Sequence, residues 1–491
     1  MMYFIGADLG TSALKLLLCK KDGEIISSVS KSYNVCYPHP GWSEQDPYDW
    51  WNAFVEGVRE LTAGVDKSKI VALSVAGQMH GLVILDKEDE VIRPAILWND
   101  GRTHAETDYL NFDVGESALL DMTANIAFAG FTAPKILWVK NNEPESFARI
   151  SKIMLPKDYI NYRLTGIHAC DYSDASGMLL LDVEKRCWSK RMLDLCGISE
   201  EQMPLLFESF ESIGTLSPNV AEALGLSSSV IVAAGAGDNA GAAIGTGTIG
   251  NGRCNISLGT SGTVFISSDE FVCDRENALH YFCHADGRYH IMGCMLSAAS
   301  CNKWFCDNVL RTGDYADAQK NITDDDLGKN QVYFLPYLMG ERSPINDTNA
   351  TGVFIGLRPD TTAEDMLLAI LEGVCFAIRD NIDVVRKTGV EISYATVCGG
   401  GARSPLWIKI LANVLNMELS LLENEEGPAL GAVYLAAVAA KEYPSINSVP
   451  TPSERERVRP DASLAALYQE RYSRFKKIYP TMKNLFKEIK E

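Results

Sequence analysis

The sequence contains no long apolar run and no signature of export. No stretch of about 20 residues, the length that a membrane-spanning helix needs, is both apolar and free of charge. The first ten residues, MMYFIGADLG, lack a basic start, and Asp8 interrupts their apolar stretch. We therefore expect neither a signal peptide nor a membrane segment.

Basic residues are also scarce. The chain has 45 Lys and Arg against 64 Asp and Glu, which gives a formal net charge of −19. A surface that binds nucleic acid or acidic lipid needs clustered Lys and Arg, so we expect no nucleic-acid partner and no membrane partner. Small anionic ligands remain compatible with this charge, because local groups can bind them.

The 13 cysteines are scattered and form no C-x-x-C pair. An odd number of unpatterned cysteines favours reduced thiols, so we expect a cytoplasmic protein rather than a disulfide framework. One group, His280, Cys283, His284 and His290, has the residue types of a zinc site. We interpret it as a buried structural cluster, and no metal prediction rests on it.

At 491 residues the chain exceeds what one hydrophobic core usually supports, which predicts two domains with a cleft between them. Strand-like and helix-like segments alternate, as in an α/β protein with helix-covered sheets. The predicted strands include 3–8, 14–19, 25–30, 70–75, 82–85 and 230–233, and the predicted helices include 47–61, 239–245, 363–387, 427–440 and 463–487.

The tetrapeptide Leu-Gly-Thr-Ser occurs at residues 9–12 and again at 258–261. Each copy lies between two strand-like runs near the start of one half of the chain. A second correspondence links the strand, glycine and helix segments at 230–247 and 396–416. These matches predict two duplicated domains, 1–247 and 248–491, joined at a glycine-rich hinge over 246–252.

Asp238 is the one acidic residue in the apolar, glycine-rich run 230–247, VIVAAGAGDNAGAAIGTG. The run predicts a buried strand, a sharp turn and a closely packed helix, with Asp238 at the junction. A carboxylate there is aimed at a ligand or, as the alternative, only caps the helix. This stretch alone does not decide between the two roles.

The two Gly-Thr-Ser loops are suited to a polyphosphate, because backbone N–H groups and hydroxyls together wrap phosphate oxygens. Asp8 precedes the first loop and suits a Mg²⁺ ion held mostly through water, and Lys15 would add positive charge to the phosphates. The glycines at 399–401 let a nucleotide approach the backbone.

Two further segments of the first half have ligand-like composition. Residues 77–81, GQMHG, place His80 between glycines, either as a ligand contact or as a loop histidine bound to backbone. Trp98, Asn99, Asp100 and Arg102 have the mix of one aromatic and several polar groups that binds sugars. The alternative is that Trp98 is core and Arg102 pairs with Asp100.

Together these motifs resemble the FGGY family of carbohydrate kinases, in the actin-like ATPase superfamily, over nearly the whole chain. Residues 6–15 (GADLGTSALK) and 255–265 (NISLGTSGTVF) are similar to the family's two phosphate loops, and 396–407 (TVCGGGARSPLW) to its adenosine-side loop. Residues 131–144 and 352–372 resemble the stretches by which the family is recognised. Residues 77–81 and 237–241 (GDNAG) resemble the sugar-binding and catalytic segments of the branch that phosphorylates D-xylulose. Lys15 is a departure, because some relatives carry Arg there.

The resemblance implies a ribonuclease H-like α/β core in each half, with ATP, Mg²⁺ and sugar meeting in the cleft. It implies that ATP and D-xylulose give ADP and D-xylulose 5-phosphate, with Asp238 as general base and Asp8 at Mg²⁺. The implied sugar contacts are Met79, His80, Asp238 and Asn239. The implied ATP contacts are Thr11, Ser12, Lys15, Gly259 and Thr260 at the phosphates, and Gly400, Gly401 and Ser404 at the nucleoside.

Two other interpretations stay open. One keeps the enzyme class and changes the substrate to another ketose, a polyol or gluconate. The other is a catalytically silent sugar-binding regulator, which has no need for an intact Asp8, Asp238 and pair of phosphate loops. The sequence leaves the assembly state undecided, with a homodimer as one alternative.

Overall fold

The computed structural model describes residues 2–276, 278–423 and 426–490. Two mixed sheets of seven strands each organise this part of the chain. The first sheet contains β1 (Tyr3–Leu9), β2 (Ala13–Cys19), β3 (Ile25–Ser32), β4 (Ile70–Gly77), β5 (Ser212–Thr215), β6 (Ile231–Ala233) and β7 (Ala236–Gly237). The second contains β8 (Cys254–Leu258), β9 (Gly262–Ser268), β10 (His280–Cys283), β11 (Tyr289–Met295), β12 (Tyr394–Cys398), β13 (Glu418–Leu422) and β14 (Glu454–Val458).

The two sheets share one pattern of strand order and direction. The first runs β5-β6-β4-β1-β2-β3, with β7 beside β4, and the second runs β10-β11-β9-β8-β12-β13-β14. In both, the two strands that flank a Gly-Thr-Ser loop are antiparallel, and the earlier of them pairs in parallel with a strand on its other side. The predicted α/β fold with duplicated halves is therefore confirmed.

One predicted correspondence between the halves is wrong. The sequence pattern matches 396–416 to the run around Asp238, but β12, which precedes Gly399, pairs with β8 just as β4 pairs with β1. The counterpart of β6 is β13, because each is the next parallel strand along its sheet. Both 396–416 and 230–247 are rich in glycine and other small residues, so their compositions are alike although the segments occupy different places in the sheets.

The helices that build the core and the site are α1 (Pro47–Leu61), α2 (Thr132–Asn142), α3 (Pro156–Thr165), α4 (Tyr172–Ser176), α5 (Asp238–Gly245), α6 (Ala363–Lys387), α7 (Pro405–Leu415), α8 (Gly427–Ala439), α9 (Ala462–Phe475) and α10 (Ile478–Lys490). Shorter helices span His104–Asp108, Glu116–Thr123, Pro144–Ala148, Lys190–Cys196, Pro218–Leu224, Ala299–Phe305 and Tyr315–Gln319. Short strand pairs join Glu44–Gln45 to Ala95–Ile96, Val83–Leu85 to Lys152–Met154, Ala169–Asp171 to Leu205–Phe207, Leu181–Asp182 to Cys187–Trp188, and Tyr333–Leu335 to Val353–Ile355.

Helix α1 shows how local sequence starts an element and packing fixes it. The Asp46 carboxylate accepts a hydrogen bond from the backbone N–H of Tyr48, and Pro47 occupies the first position, where no N–H is needed. The buried face of α1, with Trp50, Phe54 and Val58, packs against one face of the first sheet. The predicted helix and its cap are confirmed.

The other face of the first sheet is covered by α5 and α8, which cross in direct backbone contact. A Cβ added to Gly431 would lie 1.9 Å from the carbonyl oxygen of Gly241, and one added to Gly245 would lie 2.1 Å from that of Gly427. Only glycine fits such a crossing. Helix α8 thus belongs by sequence to the second half but packs on the first sheet.

Two connections qualify the sequence prediction. The predicted helix 463–487 is two helices, α9 and α10, because Pro480 has no N–H to donate and stands in the first turn of a new helix. The segment 246–252 joins α5 to β8, and Gly247, Gly250 and Gly252 take positive φ angles of 71°, 92° and 70°. Its role as a hinge, and the domain boundary at 247/248, stay predictions. Of the described helices, none combines the length and apolarity needed to cross a membrane.

Candidate active site

Three predicted ligand segments leave the first sheet at one edge. Strands β1, β4 and β7 are parallel neighbours, and their last residues Leu9, Gly77 and Gly237 stand in register. The loops after β1 and β4 carry Thr11 and Ser12, then Met79 and His80, and the helix α5 that follows β7 begins with Asp238 and Asn239. Carboxyl ends of parallel strands are where α/β proteins place ligands.

Asp238 is the first residue of α5 and is not the cap residue of the helix. The cap position is Gly237, which has no side chain to bind a helical N–H. Instead, Asp238 Oδ1 accepts bonds from the backbone N–H of Asn239, at 2.7 Å, and from its side-chain amide, at 2.9 Å. Burial raises the pKa of Asp238 to about 6, and the two bonds from Asn239 act in the opposite direction.

Asp8 and Lys15 lie opposite each other on the antiparallel pair β1 and β2. Burial raises the pKa of Asp8 to about 7, with a further rise from the charge of Asp238 and a compensating effect of Lys15. The Lys15 ammonium forms an ion pair with Glu426, just before α8. Two carboxylates near one another therefore place an excess of negative charge at this edge of the sheet.

His80 is held in an unusual backbone conformation, with φ 70°. Its carbonyl oxygen accepts bonds from Lys135 Nζ at 2.8 Å and from Thr132 Oγ1 at 3.1 Å, and its Nδ1 lies 2.7 Å from the carbonyl oxygen of Gly177. Since a carbonyl only accepts, Nδ1 carries the proton and Nε2 remains an acceptor. Burial, and then the charge of Lys135, lower the pKa of His80 to about 3, so the ring is neutral. Met79 is buried beside it.

The first Gly-Thr-Ser loop is fixed by side chains of its own half. Trp98 Nε1 donates to Thr11 Oγ1 at 2.9 Å, and this hydroxyl donates to Gln78 Oε1 at 3.2 Å. Gln45 Nε2 donates to the Thr11 carbonyl oxygen at 2.7 Å. Ser12 is exposed at the tip of the loop.

For residues 98–102, the structure agrees with one alternative for Arg102 and Asp100 and with the other for Trp98. Arg102 pairs with Asp100, at 2.7 Å, and both side chains are fully buried. Trp98, in contrast, is 43% exposed and is not a core residue. The buried ion pair of Arg102 with Asp100 therefore has a structural role. Trp98 is exposed beside the Gly-Thr-Ser loop, so a sugar contact stays a prediction for this residue.

A cavity of about 1070 Å³ lies at the second sheet. It is lined by all five residues predicted there, which are Gly259, Thr260, Gly400, Gly401 and Ser404. The loops after β8 and β12 touch, since a Cβ on Gly399, whose φ is 91°, would lie 2.8 Å from the carbonyl oxygen of Leu258. The cavity is as large as those that hold nucleotide-sized ligands.

Sequence reasoning missed polar residues on both sides. Lys303, Gln319 and Arg403 also line the cavity, and Ser404 Oγ donates to Gln319 Oε1 at 2.6 Å. Lys135 lies in the recognised stretch 131–144, but its role toward His80 had no local signal. Short motifs reveal loops that follow strands, whereas Lys303, Gln319 and Lys135 come from helices elsewhere in the chain; Arg403 lies within the quoted segment 396–407 but was not singled out.

The histidine cluster packs among aromatic rings. His290 stacks on Phe265 with ring centres 4.1 Å apart, and His280 stacks on Phe282 at 5.5 Å. Within residues 2–276, 278–423 and 426–490, no three His, Cys, Asp or Glu side chains are arranged to hold a metal ion by themselves. Burial lowers the pKa of His290 well below its usual range, so its ring is neutral.

The chain belongs to the FGGY family of carbohydrate kinases. The family's N-terminal domain matches residues 3–245, and its C-terminal domain matches residues 254–440. The xylulose kinase of Escherichia coli (strain K12) is 43% identical over 480 residues, which are 97% of this chain and 98% of that protein.

Solved structures give the same class. A xyloylose kinase from Brucella ovis has a TM-score of 0.94 at 40% identity, covering 98% of this chain and 100% of that one. A gluconate kinase from Lactobacillus acidophilus has a TM-score of 0.93 at 26% identity, covering 99% of each chain. Kinases named for different substrates therefore share this backbone, and the fold alone does not select the sugar.

Proposed function

We propose that this chain is an ATP-dependent kinase that converts D-xylulose to D-xylulose 5-phosphate, with ADP as the second product. The observation that carries the reaction class is Asp238, a carboxylate at the first position of α5 and at the end of the sheet, whose pKa burial raises to about 6. Similarity to a xylulose kinase over 97% of the chain favours D-xylulose as the sugar.

In this proposal Asp238 is the general base. A pKa of about 6 leaves its carboxylate mostly ionised at neutral pH, yet still basic enough to take a proton. The proton of the C5 hydroxyl passes to Asp238, the C5 oxygen bonds to the γ-phosphorus of ATP, and the bond from that phosphorus to the bridging oxygen breaks to release ADP. Positioning supplies most of the rate, because phosphoryl transfer needs little covalent help.

The sugar would be held by the loops after β4 and β7. We assign hydroxyl contacts to the backbone of Met79, to His80 and to Asn239. The neutral His80 ring offers Nε2 as an acceptor, because Nδ1 is occupied by the Gly177 carbonyl. A neutral acceptor suits a hydroxyl donor better than a charged imidazolium would.

The phosphates would be held between the halves. We assign Thr11, Ser12, Gly259 and Thr260 to phosphate oxygens. Lys15 would contact them by leaving or sharing its ion pair with Glu426. Gly400, Gly401 and Ser404 would face the nucleoside in the cavity of the second half.

Asp8 would hold Mg²⁺ together with phosphate oxygens and water. The fit rests on the raised pKa of Asp8, since burial and the charge of Asp238 leave this carboxylate short of positive charge. Ions of this kind use one or two carboxylates plus substrate phosphates rather than a full protein cage. When bound, Mg²⁺ would neutralise charge on the transferring phosphate.

Three further assignments accompany the proposal. The sugar belongs to the first domain, 1–247, and ATP to the second, 248–491. The reaction is placed in the cytoplasm, in keeping with the free thiols of all 13 cysteines. A homodimer is left to a measurement of molar mass in solution.

The test is ADP release, coupled to a spectroscopic readout, with D-xylulose, L-ribulose, glycerol and gluconate as acceptors. We expect D-xylulose to have the highest kcat/KM. An equal or higher value for another acceptor would transfer the proposal to that substrate, and no sugar-dependent ADP release with any of them would favour the silent regulator.

A further inference from the structure

A buried group of charges lies against the first sheet, next to the segments assigned to the sugar. The Lys157 ammonium, near the start of α3, lies 2.5 Å from Oδ1 of Asp158 and 3.0 Å from Oδ1 of Asp171, and all three side chains are fully buried. Oδ2 of Asp174 lies 3.6 Å from the same nitrogen. The stem of Lys157 contacts the end of β4, since a Cβ on Gly77 would lie 3.0 Å from its Cβ.

These charges fix an arrangement more than they add stability. Burial acts to lower the pKa of Lys157, but the charges of the surrounding carboxylates raise it well above its usual range, so the ammonium stays charged. Buried ion pairs contribute little net stability, because desolvation offsets their attraction. Removing one partner is nevertheless costly, so the pair of Lys157 and Asp171 holds the start of α4 in one place against the sheet.

Asp171 passes this anchor on to α4. It is the residue before the helix, and its Oδ2 accepts the backbone N–H of Ser173 at 2.9 Å and the Ser173 hydroxyl at 2.5 Å. Since a carboxylate only accepts, the one hydroxyl proton of Ser173 is committed to Asp171. The hydroxyl oxygen remains an acceptor, and the backbone N–H of Gly237 donates to it at 3.2 Å. The bonds therefore run from Lys157 to the residue before Asp238.

Gly237 has no side chain by which to fix its own position. It is the cap residue of α5, and Asp238 follows it directly. A Cβ on Gly237 would lie 2.8 Å from Cγ of Met79, so the sugar loop fills the space on one side. Beside the pairing of β7 with β4, the bond to Ser173 Oγ holds the peptide that leads into Asp238.

The other end of α4 contacts the sugar loop. Gly177 follows the helix, and its carbonyl oxygen accepts the bond from His80 Nδ1 at 2.7 Å. A Cβ on Gly177 would lie 2.6 Å from Cε1 of His80 and 2.9 Å from Cε of Met79. Residues 173 and 177 are one helical turn apart. One short segment thus touches the residue before Asp238 at one point and His80 at the other.

We propose that Ser173 is a positioning residue for Asp238, and that α4 with Gly177 sets the distance between this base and the sugar held at His80. The inference rests on the proposed function, in which Asp238 takes the proton and Ser173, fully buried, touches no ligand. Ser173 acts through Gly237 alone. In a reaction whose rate comes mostly from positioning, a small shift of the base slows the transfer without weakening binding.

The test is Ser173→Ala, with the single-turnover rate of phosphoryl transfer to D-xylulose, the sugar Kd and the ATP KM as readouts. The rate should fall about 10-fold, whereas the sugar Kd and the ATP KM should stay within about twofold. In the Asp238→Asn background the same substitution should cost almost nothing further, because the group that it positions is already gone. An unchanged rate in the single variant, or the same loss in both backgrounds, would overturn the proposal.

A matched control is Ser209→Ala. Ser209 is equally buried and donates its hydroxyl to the same oxygen of Asp171, at 2.7 Å, but the Gly237 N–H is bonded to Ser173. Both variants lose one hydroxyl bond to a buried carboxylate, so both should lower the melting temperature by a similar few degrees. Ser209→Ala should keep the wild-type transfer rate. Equal rate losses in the two variants would overturn the proposal, since the network would then act only on stability.

Ser173→Cys covers the case in which Ser173→Ala fails to fold, because a thiol fills the site but is only a weak acceptor. It should lose part of the transfer rate, and a wild-type rate in this variant would overturn the proposal. Wild-type turnover in Asp238→Asn would instead refute the base assignment of the proposed function, whatever the rate of Ser173→Ala.

Discussion

Asp238→Asn separates a catalytic carboxylate from a structural one. The substitution keeps size and shape, and Asn can still accept the two bonds that Asn239 donates to Oδ1. It removes the proton acceptor, which typically costs about 10²- to 10⁴-fold in kcat. If the side chain only supported the helix start, Asn would serve nearly as well and activity would persist.

The same substitution should make the protein more stable at neutral pH. The pKa of Asp238 rises from 3.8 to about 6 in the folded chain, so the folded state binds its proton more tightly than the unfolded state does. Stability from this proton is complete below pH 3.8 and is lost as the pH rises through about 6. This rise of about two pKa units corresponds to about 3 kcal/mol of folding free energy that the wild type loses as the pH rises. The Asn variant has no carboxyl at this position to titrate, so it does not incur that loss. The melting temperature of Asp238→Asn should therefore exceed that of the wild type by several degrees at pH 8, and this difference should shrink toward pH 4.

The assay measures kcat, sugar Kd and melting temperature across this pH range, with Asp46→Asn as the matched control. Asp46 is a true helix cap on an exposed end of α1, and its variant should keep full activity with no gain in stability. Wild-type kcat/KM should fall below pH about 6, as Asp238 becomes protonated. Near-normal turnover in Asp238→Asn, or a variant less stable than the wild type at pH 8, would refute the reasoning.

Three further outcomes are expected. Gly431→Val should strongly lower the melting temperature and the activity, because its side chain would clash with the carbonyl oxygen of Gly241. Gly64→Ala points into open space and should change neither. Equal effects of the two substitutions would contradict the close contact between α5 and α8. Lys135→Met should raise the sugar KM about 10-fold and leave the ATP KM unchanged, since it frees the carbonyl of His80, and an unchanged sugar KM would count against that role. Small-angle scattering should show a smaller radius of gyration with D-xylulose and a non-hydrolysable ATP analogue, and an unchanged radius would exclude closure of the cleft.

Much of the fold was predictable because its elements have strong local signals. Both Gly-Thr-Ser hairpins, the capped helix α1 and the long helix α6 follow from strand-like runs, turn glycines and capping residues. Pro480 was a signal too, and it ends the predicted helix 463–487 earlier than apolar spacing suggests. The match between 396–416 and 230–247 failed because composition records how tightly a segment packs and not its place in a sheet.

The site divides in the same way. The loops at strand ends were predictable, because turn glycines and polar residues directly follow strand-like runs in the sequence. The partners of those loops were not, since Lys135 reaches His80 across 55 residues and Trp98 reaches Thr11 across 87.

The glycine crossing of α5 and α8 has a thermodynamic consequence. Backbone lies on backbone there, with no side chain to yield, so we expect both helices, and Asp238 with them, to move as one piece with the first sheet. Gly259 and Thr260 lie in the loop between β8 and β9 of the second sheet. If the cleft closes, sugar and ATP then act on a single equilibrium, and each must tighten the binding of the other by the same factor. Such a kinase would bind ATP weakly until its sugar is bound, and stronger coupling would mean less hydrolysis of ATP by water in the absence of sugar.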